Sequence, residues 1–387
     1  MFTTDSKAST ETASICRRNT TSDDTMQIID PESNNKKRIR TIVDRQAGAK
    51  RATAVEKTMT PRECVLGFRK AVVMSLTLSL ACTIVGYVLV LVPSFITLPV
   101  FRRNFACPEA TITDICQIPA AWQSGLILGP SAGQMIGLLL SGWVVEKFGY
   151  KRTILVTLPV LSGFIFITFF ASSLPVFLVG MMFCGIPWGI FQTLTTNYAS
   201  DICPTPIRGY ITAWTNVCWI IGQLFGAIIL RILVNNTTEL SYKLPLGLQW
   251  MFPVLIFISA ILAEESPWWL VRHNKMKEAK LALSRLVNKK NTPLGYSVED
   301  HLDLLIETNQ NDINNSDNGT RIGYIDCFRR TNLRRTEVTV AVWMIQNGCG
   351  NVLMQWSAYF FVEAGLTSKQ AFTLQIVQAS KLSIHRS

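Results

Sequence analysis

Six stretches of this chain contain no Asp, Glu, Lys or Arg: Ala71–Phe101, Ala120–Val145, Thr153–Ser200, Gly209–Leu230, Leu244–Ala263 and Val338–Val362. No other feature constrains the fold as tightly. A helix crosses a bilayer with about 20 such residues and satisfies its backbone internally. Thr153–Ser200 is long enough for two crossings, with Ala171-Ser-Ser-Leu-Pro175 as the turn between them. The pattern therefore predicts seven spans, and Gln370–Ser380 reads as the start of an eighth. An apolar fraction of 49% with only 16% charged residues excludes an ordinary soluble domain.

The net charge of +11 raises the possibility of nucleic-acid binding, but its distribution argues otherwise. Basic residues are dense before Ala71, around Lys147–Arg152 and from Arg272 to Arg335. These segments share one side of a membrane if the spans alternate. The loops opposite carry only Arg102, Arg103, Arg231 and Lys243. The positive-inside rule then places the N-terminus and the long central loop in the cytoplasm. A basic inner face accounts for the charge without nucleic acid.

Residues 1–70 are polar and lack the apolar core of a signal peptide. They read as a disordered cytoplasmic tail, with a short amphipathic helix between Lys50 and Lys70 on the inner face. The second span carries Gly125, Gly129, Gly133, Gly137 and Gly142, spacing that lets helices approach closely. Gln134 stands among them, either as an interhelical hydrogen bond or as a cavity-lining group. The loop after it holds Glu146, Lys147, Lys151 and Arg152, the last two able to cap helix ends and pair with Glu146.

The stretch Phe191–Phe225 is the most informative. Gln192 and Asn197 precede a turn holding Asp201, Pro204, Pro206, Arg208 and Gly209. Trp214, Asn216, Trp219 and Gln223 follow at helical spacing in an apolar run. Lipid cannot satisfy such a stripe, so it points at protein or water. Asp201 and Arg208 can pair across the turn or with a neighbouring loop, as a latch that breaks during rocking or as a static pair.

Asn235-Asn236-Thr-Thr gives two overlapping glycosylation sequons in an outer loop, while those at Asn314 and Asn318 fall in the inner loop. After the sixth span, Ser266 and Pro267 start a helix by capping and N1 preorganisation, and Trp268 and Trp269 suit the membrane interface. Lys275–Val287 is amphipathic, and a second helical piece falls around Val298–Glu307. The seventh span carries Gln346, Asn347, Asn351 and Gln355. Four carboxamides serve either recognition of a neutral polyol or interhelical bonding. Of ten cysteines, Cys107 and Cys116 share the first outer loop, where they can form a disulfide. With only three histidines and no nucleophile, metal-ligand or phosphate-loop arrangement, an enzyme and a cofactor are excluded from the reading.

Tyr198-x-x-Asp201-x-x-Pro204-x-x-x-Arg208-Gly209, Gly142 to Arg152, and Glu265-Ser-Pro-Trp-Trp-Leu270 together resemble three loop signatures of the sugar-porter branch of the major facilitator superfamily. Trp268, where the general form has Arg, is similar to the fungal α-glucoside (maltose) permeases. The resemblance covers about Val65 to Ala379. It implies an all-α membrane protein: the N-terminal six-helix half (71–263), a cytoplasmic central loop (264–337), and helix 7 with the start of helix 8 (338–380), followed by a tail (381–387). It also implies plasma-membrane transport of a small sugar, normally by proton symport, through a site at the midplane. Gln223 and Gln346 match sugar-contacting positions, and Asn351, Gln192 and Trp219 are neighbouring candidates. Glu146, Lys151, Arg152, Asp201, Arg208 and Glu265 match its gating-loop positions.

Two departures qualify that expectation. Proton-coupled members of the branch carry Glu-Gly-Tyr-Asp in helix 1 and a Glu in helix 2. Here those positions read Val85-Gly-Tyr-Val88 and Gln134. Neither valine nor an amide titrates, so coupling by that route is not expected. The chain also ends just into helix 8, so the expectation is that it does not transport alone. A facilitator, a non-transporting sugar sensor and an inactive truncated carrier stand as alternatives to a symporter.

Overall fold

The computed structural model describes residues 31–106, 118–288, 295–315, 324–328, 330–351 and 356–386. Their regular elements are all helices, with no strand among them. Two compact units divide the chain, residues 1–44 and 45–387. In the first, the described part is the beginning of the helix Pro31–Thr58. Everything below concerns the second.

Six helical segments there are long and apolar enough to cross a membrane. Span 1 is Arg69–Thr97, span 2 Ala120–Phe148, span 3 Tyr150–Phe169, span 4 Leu174–Ile202, span 5 Thr205–Leu233 and span 6 Leu240–Leu262. Spans 1 and 6 are each jointed, at Leu80 and at Gln249–Trp250, where tighter i→i−3 bonds interrupt the ladder. Span 1 is the axis of the bundle, 78% buried, whereas span 2 is 22% buried and lies at its edge.

Glycines decide two close crossings. A Cβ on Gly133 or Gly137 would lie 1.9 Å from the Met182 carbonyl oxygen or 2.0 Å from that of Ile186. Gly185 and Gly189 of span 4 are equally blocked by the backbone of span 2. Spans 1 and 5 meet in the same way, Gly86 against the Trp219 carbonyl and Gly222 against that of Thr83. In hydrocarbon the helices gain little from apolar burial, so backbone proximity is a main source of attraction. The small residues of span 2 thus do what their spacing predicts.

Elsewhere the structure differs from expectation. Residues 31–58 are helical where most of that stretch was expected to be disordered, and 61–67 form a helix within the Lys50–Lys70 stretch expected to hold one. The second of these helices has a capping box: Thr60 Oγ1 accepts from the Glu63 amide, and the Glu63 carboxylate accepts from the Thr60 amide. The piece expected at Val298–Glu307 runs on to Asn315. The seventh span does not cross as one rod. A helix, Arg330–Gln346, gives way to π-type turns at Asn347–Asn351, and a new helix occupies Ser357–Glu363. Gly350 holds φ of 96° at the break, a conformation side chains disfavour. A last helix, Ser368–Arg386, packs along span 5, and Arg231 Nε donates to Thr373 Oγ1 at 2.8 Å.

The helix Pro267–Arg272 begins as its sequence predicts, with Ser266 Oγ accepting from the Trp269 amide and Pro267 at N1. Met276–Leu286 buries Ala279, Ala282, Leu283 and Leu286 on one face. Trp269 corrects the interface reading: it is only 6% exposed, stacks on His273 and donates from Nε1 to the Glu146 carbonyl at 3.0 Å.

Candidate functional site

Two groups of polar residues are built by this frame, one inside the bundle and one at its basic end. Inside, span 2 contributes Gln134 and span 4 contributes Gln192. The glycine-mediated crossing brings them together, and Gln134 Nε2 donates to Gln192 Oε1 at 2.6 Å. Both are half-buried. Of the two roles open to Gln134, the interhelical bond is the one formed. That leaves the remaining donors and acceptors of both amides for a ligand or water.

Gln223 is half-buried on span 5 and one helical turn from Trp219. Trp219 lies at the crossing with span 1, its Cδ1 2.9 Å from where a Gly86 Cβ would sit, and its Nε1 is buried without a partner. Trp188 Nε1 and Trp214 Nε1 are likewise buried and unpaired among the described residues. Buried indole donors without acceptors carry an unmet hydrogen-bonding demand.

Gln346 ends its helix half-buried, and Asn347 Nδ2 donates to the Trp343 carbonyl at 3.0 Å. Asn351 closes the π-type segment. No hydrogen bond joins Gln223, Gln192 and Gln346 to one another among the described residues. Gln355, Cys107, Cys116 and Asn318 lie outside them. Gln375 escaped the sequence reading. It is 5% exposed on the helix packed along span 5, and its Oε1 has no partner among the described residues. The signal was present as an amide in the Gln370–Ser380 run, but which face it occupied depended on packing.

Val85 and Val88 are 3% and 2% exposed. Tyr87 between them is fully buried and donates from its hydroxyl to the Pro245 carbonyl at 2.8 Å. The helix 1 positions that differ from the proton-coupled pattern are thus apolar core, not cavity lining.

At the basic end, three loops converge. Asp201 Oδ2 accepts from the Tyr150 hydroxyl at 2.9 Å and from Ser266 Oγ at 3.0 Å. Glu265 Oε1 accepts from the amides of Tyr150 at 2.8 Å and Ser266 at 3.2 Å, and Oε2 accepts from Lys151 N at 3.3 Å. Gly149, with φ of 87°, lets the loop approach so closely that a Cβ would lie 2.7 Å from Glu265 Oε2. Burial lifts the Glu265 carboxyl above its usual range, against the pull of these amides and of Arg152. Tyr198 completes the junction by donating to the Glu264 carbonyl at 2.8 Å.

The pairings differ in detail from the sequence reading. Glu146 faces Arg272 at 3.7 Å rather than Lys151 or Arg152, and Lys151 Nζ donates to the Ile261 carbonyl. Of the two arrangements open to Asp201, the bonds to neighbouring loops form and a pair with Arg208 does not, the Arg208 Nε being buried and unpaired among the described residues. Asp201 reaches toward span 3 for its bonds, and both it and Arg208 line a cavity of about 230 Å³. Asn235 and Asn236 are exposed beyond the opposite end of span 5.

The family model described as "Sugar (and other) transporter" matches residues 74–381. A general alpha-glucoside permease of Saccharomyces cerevisiae is 36% identical over 335 residues, covering 85% of this chain and 53% of its own length. Maltose permease MAL61 of the same species is 36% identical over 351 residues, covering 90% and 56%. The chain thus spans about half the length of these curated relatives. Among solved structures, the proton:xylose symporter XylE bound to 6-bromo-6-deoxy-D-glucose aligns with a TM-score of 0.66 over 82% of this chain and 68% of its own, at 16% identity. A partially occluded inward-open form of XylE from E. coli aligns with a TM-score of 0.56. At that identity the likeness concerns the fold. A multi-pass helical bundle with three converging loop motifs, matched in sequence over most of its length, belongs to the sugar-porter family of the major facilitator superfamily and is similar to its α-glucoside permeases.

Proposed function

We propose that this chain is part of a carrier for α-glucosides such as maltose, moving them without the proton route used by its symporting relatives. The basic end faces the cytosol of the cell whose plasma membrane holds it. The sugar site is lined from this half by Gln192, Gln223 and Trp219, with Gln346 and Asn351 contributed across the break in the seventh segment. These groups supply amide and indole hydrogen bonds suited to hydroxyls, and no charge that would favour an ionic substrate. Asn235 or Asn236 is the glycosylated position on the outer side.

One observation carries the uncoupled reading: the 2.6 Å Gln134–Gln192 amide pair stands at the helix 2 position of the expected acid. Valines packed into the core occupy the helix 1 positions. A proton carrier needs a group that titrates inside the membrane, and neither an amide nor a valine does so. Maltose uptake into cells expressing the carrier of which this chain is a part, followed with an external pH electrode, tests this. The expected result is sugar entry without alkalinisation and countertransport insensitive to pH. Sugar-dependent alkalinisation would sink the proposal. Competition by monosaccharides as strong as that by α-glucosides would remove the substrate assignment and leave the coupling argument standing.

A further inference from the structure

The segment 45–58 does not lie free on the bundle. It runs antiparallel to the helix Val298–Asn315, and the contacts step along both. Gln46 Nε2 donates to Glu307 Oε1 at 3.4 Å, Gly48 faces Asp303, and Arg51 NH2 pairs with Asp300 Oδ1 at 2.9 Å. Small residues make this approach possible. A Cβ on Gly48 would lie 3.4 Å from Asp303 Cβ, and Ala49 and Ala52 are buried to 6% and 7%.

Past these contacts the segment reaches Glu56. Its Oε2 accepts from Thr205 Oγ1 at 2.8 Å, and its Oε1 lies 3.3 Å from His301 Nδ1. Both side chains of the Glu56–His301 pair are about 85% buried, at 14% and 15% exposure. One carboxylate thus joins the N-terminal segment, the central loop and the first residue of span 5. The same groups line the cavity that holds Arg208 and Thr308. Further along, Phe68 packs edge-on against Tyr296, and the Asn288 amide donates to the Gly67 carbonyl at 2.8 Å.

We propose that residues 45–58 form an intramolecular clasp that fastens the central-loop helix to the end of span 5, with Glu56 as its junction and His301 as a proton-sensitive element. Nothing in the sugar site or in the transport reading requires it, so its test is independent of both.

The direction of the pH response follows from the surroundings. His301 faces Glu56 from the clasp, Arg208 and Asp201 from the ends of spans 5 and 4, Cys203 from the turn between them, and Tyr296 from its own loop. Burial and Arg208 hold its imidazole below the ordinary value of 6.5, and Glu56 opposes them. A histidine that is harder to protonate when the clasp is closed favours the open state in acid. Closure is therefore at full strength above the ordinary histidine value and weakens as pH falls through it. Between pH 7.5 and 6.0 the ratio of closed to open falls, by at most about fourfold.

The Gly48–Asp303 contact supplies the probe, because its 3.4 Å separation sits close to the span of about 3.5–4.5 Å that a disulfide bridges. The full chain in native membranes would carry Gly48→Cys and Asp303→Cys. A protease site engineered within 289–294 makes the cross-link visible as two fragments that separate only on reduction. Cross-linking at pH 7.5 is expected, with Glu56→Gln lowering it severalfold. Acidification to pH 6.0 should lower it more in this chain than in one that also carries His301→Gln. Acid slows thiol oxidation in both chains alike, so the comparison isolates His301. A folded protein whose cysteine pair never cross-links overturns the clasp. So does a yield indifferent to Glu56→Gln. Equal pH dependence with and without His301→Gln overturns the proton-sensitive role.

Discussion

The hydroxyl of Tyr150, at the start of span 3, donates to the carboxylate of Asp201, at the end of span 4, across 2.9 Å. Ser266, just beyond span 6, donates to the same oxygen. Three segments distant in sequence are tied through one acid. The Tyr150 phenol is a neutral donor. It is also a donor whose loss is easily arranged.

Tyr150→Phe removes that donor and leaves the rest of the ring in place. A hydrogen bond to a charged group contributes about 1.5–3 kcal/mol, and Ser266 retains part of the satisfaction, so a loss of about 1–2 kcal/mol is expected. Thermal unfolding in detergent reads it. An unchanged midpoint would show that the bond is dispensable.

Glu265 is an acid placed for acceptance rather than charge. Glu265→Gln keeps an acceptor for the amides and is expected to change stability by less than about 1 kcal/mol at neutral pH, whereas Glu265→Ala, which strands three amides, should cost about 2–3 kcal/mol. The pH dependence has a definite sign. Because burial raises its carboxyl, the folded state holds a proton that the unfolded state has released. Its contribution is present in acid and is lost as pH rises from about 4.3 through the folded value. Melting points across that window should fall in the parent and flatten in Glu265→Gln.

The span 2–span 4 crossing permits a paired test. Gly137→Ala places a methyl 2.0 Å from the Ile186 carbonyl oxygen, a backbone atom that cannot swing away. Overpacking of this kind costs about 1–3 kcal/mol. Gly163→Ala, on span 3, meets nothing within 4 Å and should be neutral or slightly stabilising. Similar effects at both positions would contradict the crossing.

Gln134 and Gln192 should be coupled. A double-mutant cycle to leucine is expected to return an interaction energy of about 0.6–1.7 kcal/mol, the range for hydrogen bonds between membrane helices. In a binding titration followed by tryptophan emission, Gln192→Leu should also weaken α-glucoside affinity. Unaltered affinity would remove Gln192 from the sugar site.

Sequence alone determined six of the seven expected spans, because charge-free runs of bilayer length have few other uses and the outcome depends on local composition. It determined the start at Ser266-Pro267 and the tight glycine face of span 2 for the same reason: each rests on neighbouring residues. The capping box at Thr60–Glu63 was not read from the sequence, although its Thr-x-x-Glu pattern is local. What residues 45–58 dock against was not legible, since Gly48, Ala49 and Ala52 acquire meaning only beside Asp300 and Asp303. Asp201 was recognisable as a buried charge with a partner, but the choice of Tyr150 and Ser266 over Arg208 needed the third dimension. Partners that lie far apart along the chain are selected by the angles of the elements that carry them, and the tertiary packing of the spans sets those angles.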